Sequence, residues 1–380
     1  CPACALTGTT SASTDGSGYA TFSDLRATRG GWGYRLFASA PSLGVMSGSD
    51  QFTIAGFCET GSMSTVRYRT TMTLLPNGKV LVAAGEDGSN VLNTAELYDP
   101  ATGAWTSTGT LNVGRFSHAA VLLTDGRVLV EGGNGTMVAG IQASTEIYDP
   151  GLGTWSLTGY LKFDRTEHTA TLLSDGTVLA AGGQGNGPVT RASSEIYDPA
   201  LGQWALTNGP LNTARYGHSA TLLQDGRVLV AGGFNTSSGL LSSAEIYHPV
   251  AKTWTYTGSL NAARHLHTAT LLSDGRVLVT GGDLAPGWLS SAEIYNPATG
   301  TWSYTAGPMN ESRGRHTAVL FPDGRVLVAG GNNSTGVLSS AEFYDANSNT
   351  FIGTGSMVNG RFLHGAVLLP NGMMLVAGGP

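Results

Sequence analysis

The stretch LLSDGRVLVTGG, Leu271 to Gly282, reads as a complete β-hairpin followed by a pair of glycines. Asp274-Gly275 suits a type I′ turn, because both central residues of that turn need positive φ and its twist matches the strands it joins. Val277, Leu278 and Val279 are apolar in succession, which predicts a second strand buried on both faces. The same hairpin recurs along the chain. Its turn glycine falls at Gly78, Gly126, Gly176, Gly226, Gly275, Gly324 and Gly372, in steps of 48, 50, 50, 49, 49 and 48 residues. A period of this kind marks a repeat architecture and takes precedence over local readings.

Each hairpin but the last is followed by a third strand such as SSAEIYNP, a turn, and a fourth strand that opens with an aromatic residue. The tyrosine-to-aromatic gap is seven in every copy: Tyr98 to Trp105, Tyr148 to Trp155, Tyr197 to Trp204, Tyr247 to Trp254, Tyr295 to Trp302 and Tyr344 to Phe351. Four short antiparallel strands per repeat of just under fifty residues describe the blade of a β-propeller.

Paired glycines, then Glu-x-Tyr, then Trp resemble the kelch repeat, in the form common in bacterial secreted and surface proteins. The resemblance covers roughly residues 55 to 380. It implies an all-β kelch propeller, of the class that includes galactose-oxidase-like copper enzymes. The first copy departs by carrying Ala84-Gly85 for the glycine pair, and the sixth by Phe351 and the missing proline after Tyr344-Asp345.

The hairpin occurs seven times and the outer half six. GFCETGSMSTVR, Gly56 to Arg67, aligns without gaps with TWTYTGSLNAAR, Thr253 to Arg264, which places Phe57 at the tryptophan position. Ser49 to Ile54 then serves as a third strand. Seven blades are expected over residues 51–380, the last closed by N-terminal strands. Residues 1–50 are expected to form a short β extension. GYATFSDL and WGYRLFA within it resemble the end of a bacterial immunoglobulin-like repeat, too short for a whole sandwich.

Only 12% of residues are charged, against roughly 25% in an average soluble protein. The net charge of −6 argues against nucleic acid as a partner, and no apolar run approaches the ~20 residues of a membrane span. Cys1, Cys4 and Cys58 all precede the repeats. Two readings stand: a lipid anchor at Cys1 with Cys4 paired to Cys58, or an arbitrary start point with one structural disulfide, suiting an oxidising compartment.

The tight Asp-Gly turns lie on one face of the propeller, and the variable loops after the glycine pairs on the other, where binding usually lives. Trp288 and Phe234 in those loops are candidate ligand contacts. So are Arg115, Arg165, Arg215, Arg264, Arg313 and Arg361 at the entry to the first strands. These arginines are also expected to pair, within or between blades, with Glu96, Glu146, Glu195, Glu245, Glu293 and Glu342. His118, His168, His218, His267, His316 and His364 follow them in an Arg-x-x-His pattern. A metal or anion site on the axis is one reading of this ring; a hydrogen-bonding role inherited with each blade is the favoured one.

Galactose-oxidase-like enzymes need a Tyr–Cys cross-link and two histidine ligands, and no cysteine lies inside the complete repeats. No cofactor and no metal is expected. Enzymes similar to bacterial sialic acid mutarotases would require Arg and Glu at special channel positions. The expectation is therefore a secreted or surface-exposed, non-enzymatic propeller that binds a protein or glycan through its variable-loop face. The alternatives are a subunit of an extracellular fibre or sheath, polymerised through the N-terminal segment, and a carbohydrate-active enzyme at the channel mouth.

Overall fold

The computed structural model describes residues 57–379 apart from 136–139, 188 and 285–286, together with the backbone of six short strands before residue 57. The hairpin quoted above forms, but its turn is not the type I′ expected: only Gly275 takes positive φ, at 86°, and its amide donates to Leu272 O at 3.0 Å, so a left-handed glycine closes a longer loop in which Leu272 N donates to Arg276 O at 2.8 Å. Thr268–Leu271 pairs antiparallel with Val277–Thr280, which pairs with Ala292–Asn296, which pairs with Thr301–Tyr304. Five further four-stranded sheets of the same order begin at Thr71, Ala119, Thr169, Ser219 and Thr317. In all six the second strand is buried at every position. That is why its Val-Leu-Val sequences show no polar alternation.

The first strands stand side by side around a central axis. The seventh, Gly365–Leu368, packs between Thr317–Leu320 and Thr71–Leu74 and closes the circle. Apolar side chains fill the spaces between blades. Leu229, Ala231 and Ile246 of one blade, for example, pack on Val277, Val279 and Tyr295 of the next. The last space is closed by Leu369 and Leu375 against Val80 and Tyr98. Each third-strand tyrosine meets the aromatic ring seven residues on at 5.0–5.2 Å between centroids.

The glycine pair has a steric cause. Gly281 and Gly282 have φ of 60° and 108°. A Cβ on Gly281 would meet His316 Cε1 at 2.9 Å, and one on Gly282 would meet His267 Cβ at 2.9 Å. Positive φ and the close histidines favour glycine at both positions, although Ala84 fills the first of them in the first blade at φ of 57°.

Seven full blades were expected, and the structure shows six. The seventh hairpin, Gly365–Leu368 with Met374–Ala377, stands as a two-stranded sheet. Phe52–Ile54, expected in its third strand, pairs instead with Gly31–Tyr34. The stretch from Phe57 onward does occupy its aligned place. Thr60 Oγ1 meets Tyr98 Oη at 2.8 Å as Thr257 meets Tyr295 at 2.8 Å, and Gly61 N donates to Gly103 O at 3.0 Å as Gly258 N does to Gly300 O. No helix among the described residues is long and apolar enough to cross a membrane.

Candidate functional site at the axial mouth

The Arg-x-x-His segment that enters each first strand sets the site. Its arginine turns inward. Arg67, Arg115, Arg165, Arg215, Arg264 and Arg313 are fully buried, and each reaches the third-strand glutamate of its own blade at 2.6–3.0 Å. Arg215 shows the full set of bonds. It donates to Gly232 O and Ser243 O at 2.7 and 2.8 Å, and to Ser243 Oγ and Glu245 Oε1 at 3.0 and 2.9 Å. Glu245 accepts in turn from the amides of Asn212 and Thr213 at 2.7 and 2.9 Å. These bonds satisfy both buried charges internally. The expected Arg–Glu pairing is present, and for the same reason Arg115, Arg165, Arg215, Arg264 and Arg313 are out of reach of a surface ligand. Arg361, half-buried in the seventh hairpin, differs and donates to Gly378 O at 2.7 Å.

The histidines turn toward the neighbouring blade. Nε2 of His118, His218, His267, His316 and His364 lies 2.9–3.1 Å from a threonine or serine hydroxyl that opens the preceding first strand. Burial, then a nearby arginine, holds His118, His218, His267 and His316 well below the ordinary imidazole range, and brings His364 down to about 3. The ring is a set of interblade clasps. Among the described residues no group of three or more His, Cys, Asp or Glu side chains comes together as a metal site.

Between each arginine and histidine lies a residue that the sequence reading passed over. Arg69, Ser117, Glu167, Gly217, Leu266, Arg315 and Leu363 all have φ of 49–58°. Each amide donates to the carbonyl of the preceding member at 2.9–3.2 Å, in a closed circle around the axis. Only one of the seven is glycine, so the other six hold a left-handed conformation at a cost of about 1 kcal/mol or more each. The circle of bonds enforces it.

The side chains of this circle break the repeat with charge. Arg69 pairs with Glu86 at 3.2 Å and lies 5.5 Å over the Phe116 ring. Arg315 pairs with Asp283 at 3.0 Å. Burial pushes the Glu167 carboxyl up, opposed by Arg69 and Arg315 and reinforced by Asp283. Beside this cluster, Tyr216, Phe234 and His265 pack at 5.6–6.0 Å between ring centroids. Burial, followed by Arg315, brings His265 down to about 4. Of the sequence candidates, Phe234 belongs to this aromatic trio. Trp288 bridges back to Asp283, against the face of Gly314, where a Cβ would meet Trp288 Cδ1 at 3.0 Å. Asp283 Oδ1, His265 Nε2, Trp288 Nε1 and Asn332 Oδ1 are buried without hydrogen-bond partners. Cys58 is an exposed free thiol. Cys4, its expected partner, and Cys1 lie outside the described residues.

The closed circle of radial four-stranded sheets defines a β-propeller. A Kelch-repeats domain described for KLHDC2, KLHL20 and DRC7 matches residues 167–379, and the single Kelch motif matches residues 74–112. The chain belongs to the Kelch-repeat family. No curated protein matches it significantly. Among solved structures it resembles a fungal alcohol oxidase of the AA5 family in complex with copper, at 20% identity and a TM-score of 0.73, over 86% of this chain and 73% of that one. It also resembles YjhT, at 13% identity and a TM-score of 0.62, over 77% of this chain and 99% of that one. At such identities the likeness is one of fold. The copper is the oxidase's own; in this chain Cys58 lines the cleft at the seventh hairpin's outer edge.

Proposed function

We propose that the chain is a binding propeller, secreted or surface-exposed, that holds a protein or glycan ligand at the axial mouth of its variable-loop face. The observation that carries this is the divergence of one position. Blade copying keeps the buried arginines, glutamates and histidines alike, yet the residue between them changes to Arg69, Glu167 and Arg315 where it reaches the mouth. Arg69, Arg315 and Asp283 side chains are 38%, 31% and 20% exposed, so charge is available there to a ligand's carboxylates, hydroxyls or amides. The adjacent aromatic trio suits apolar sugar faces or side chains. The test is a screen of the full chain against immobilised glycans and acidic peptides, alongside Arg69→Ala/Arg315→Ala. A ligand retained by the parent and lost by the variant, at equal thermal midpoint, supports the reading. Equal binding by both chains overturns it.

A second reading, a carbohydrate-active enzyme at the same mouth, draws on Glu167. Its carboxyl, pushed up by burial, breaks the repeat and stands among charged side chains at the mouth. Sugar turnover that survives Glu167→Gln sinks the assignment of that residue. Binding without turnover favours the first reading.

A further inference from the structure

The charges at the mouth are divided across the axis. Around the circle of left-handed residues the order is Arg69, Ser117, Glu167, Gly217, Leu266, Arg315 and Leu363, each bonded to the one before. Arg69 and Arg315 flank Leu363 on one side. Glu167 stands on the other, two links from Arg69 and three from Arg315. Both arginines and Asp283 act on the Glu167 carboxyl through their charge. Among the described residues that carboxyl accepts no hydrogen bond and forms no ion pair, so it touches neither guanidinium group.

Neither cation is used up. Arg69 reaches Glu86 through Nη1 and Arg315 reaches Asp283 through Nη2, and both side chains stay partly exposed. Their remaining N–H donors are available to a ligand. Between Glu167 and Arg315 the floor is apolar. Gly217 and Leu266 are the circle members there, and a Cβ on Gly217 would run into the His265 ring. Tyr216 and Phe234 pack on that ring at 5.8 and 6.0 Å between centroids. Burial, then the Glu167 carboxylate, pushes the Tyr216 phenol up, which sets the aromatic trio beside the acid.

A ligand with an acid alone would set its charge against Glu167, and one with an amine alone would leave both arginines idle. A ligand of both signs, with an apolar ring face between them, matches all three features. We propose that the mouth seats a zwitterionic saccharide, with a free amino group on Glu167, a carboxylate on Arg69 and Arg315, and the apolar face of a sugar ring on Tyr216 and Phe234. This rests on the reading of the mouth as a ligand site and narrows it to one class of glycan. A sugar ring holds its two charged groups apart on a rigid frame. A peptide of lysine and glutamate would have two flexible side chains to order on binding, which costs affinity.

The probes are three oligosaccharides of equal length, titrated into the full chain by calorimetry. The first alternates glucuronate with glucosamine bearing free amines, the second is the same chain N-acetylated, and the third is a glucosamine oligomer without carboxylates. They carry both signs, the acid alone and the amine alone. The first is expected to bind about tenfold or more tighter than either of the others, the worth of one charge-assisted hydrogen bond. Glu167→Gln should abolish its advantage over the N-acetylated chain, and Arg69→Ala/Arg315→Ala its advantage over the glucosamine oligomer. The comparison of sugars needs no variant and stands even if a substituted chain misfolds. Equal binding of the free-amine and N-acetylated chains removes the seat for a cation and overturns the proposal; if that binding is still lost in Arg69→Ala/Arg315→Ala, the mouth remains a ligand site. A glucosamine oligomer that binds as tightly as the zwitterion overturns it from the other side. So does a protein that takes none of the sugars and holds a peptide of alternating lysine and glutamate instead.

Discussion

Glu131 Oε1 lies 3.5 Å from His168 Nε2, both side chains buried, and no hydrogen bond reaches the carboxylate oxygens or the ring nitrogens. This is a double exception to the repeat. The hydroxyl that would clasp His168 is replaced by Ala119, and Glu131 stands where other second strands end in Ala181, Ala231 or Thr280. Burial pushes Glu131 up to about 8, with Arg165 and Arg115 opposing, and burial and Arg165 push His168 well below its ordinary range.

Restoring the repeat with Ala119→Thr/Glu131→Ala should therefore stabilise the chain. The gain is about 1–3 kcal/mol, the cost of an unsatisfied buried polar group. A carboxyl raised in the folded state contributes its stability below the unfolded value near 4.3, and that contribution is lost as pH rises through about 8. The variant lacks this loss. Urea unfolding should show the gap between variant and parent widening from pH 5 to pH 8; a constant gap would mean that Glu131 does not titrate in this window.

The six buried histidines of the ring, five of them clasped, act in the opposite direction. Their folded values are depressed, so the stability of the neutral rings is present above pH 6.5 and is lost as pH falls toward the folded values. Six such groups outweigh one glutamate. The thermal midpoint should fall from pH 7 to pH 5, and His218→Gln should make that fall shallower than in the parent.

Truncating a buried arginine leaves its glutamate uncompensated. Arg215→Ala should cost about 3–5 kcal/mol in urea denaturation. Arg361→Ala strands no carboxylate and should cost clearly less. Equal losses would show that the arginines stabilise by packing alone.

Gly314 is a lever on the mouth itself, because a Cβ there runs into Asp283 and Trp288. Gly314→Ala should shift the Trp288 contribution to fluorescence and weaken a mouth ligand about tenfold, with about 1–3 kcal/mol of overpacking cost. An unchanged affinity would place the ligand away from Asp283 and Arg315.

The blade was legible because its cues are local and repeated. Asp274-Gly275 marks the turn, Val277 to Val279 the buried strand, and Tyr295 with Trp302 the outer pair. The Arg–Glu pairing was legible too, since both residues recur in phase. The mouth was not, because Arg69, Glu167 and Arg315 share no residue type with Gly217 or Leu266. What unites them is a backbone angle, and only Gly217 carries a hint of it. Arg361 illustrates the other limit. Its sequence context matches that of Arg313, and the difference lies in a partner strand that the local sequence does not encode.

The circle of seven mouth amides has a kinetic meaning. Its closing link, Arg69 N to Leu363 O, joins opposite ends of the repeat array, as does Gly379 N to Arg67 O. Contacts between blades are local in sequence and can accumulate early, but this link waits for all of them. Loop closure over such a separation is slow. Before it forms, the six left-handed side-chain-bearing residues lack a complete frame to hold them. The charged mouth therefore acquires its shape only once the whole array has closed, so that a partly folded chain presents no assembled mouth to a ligand.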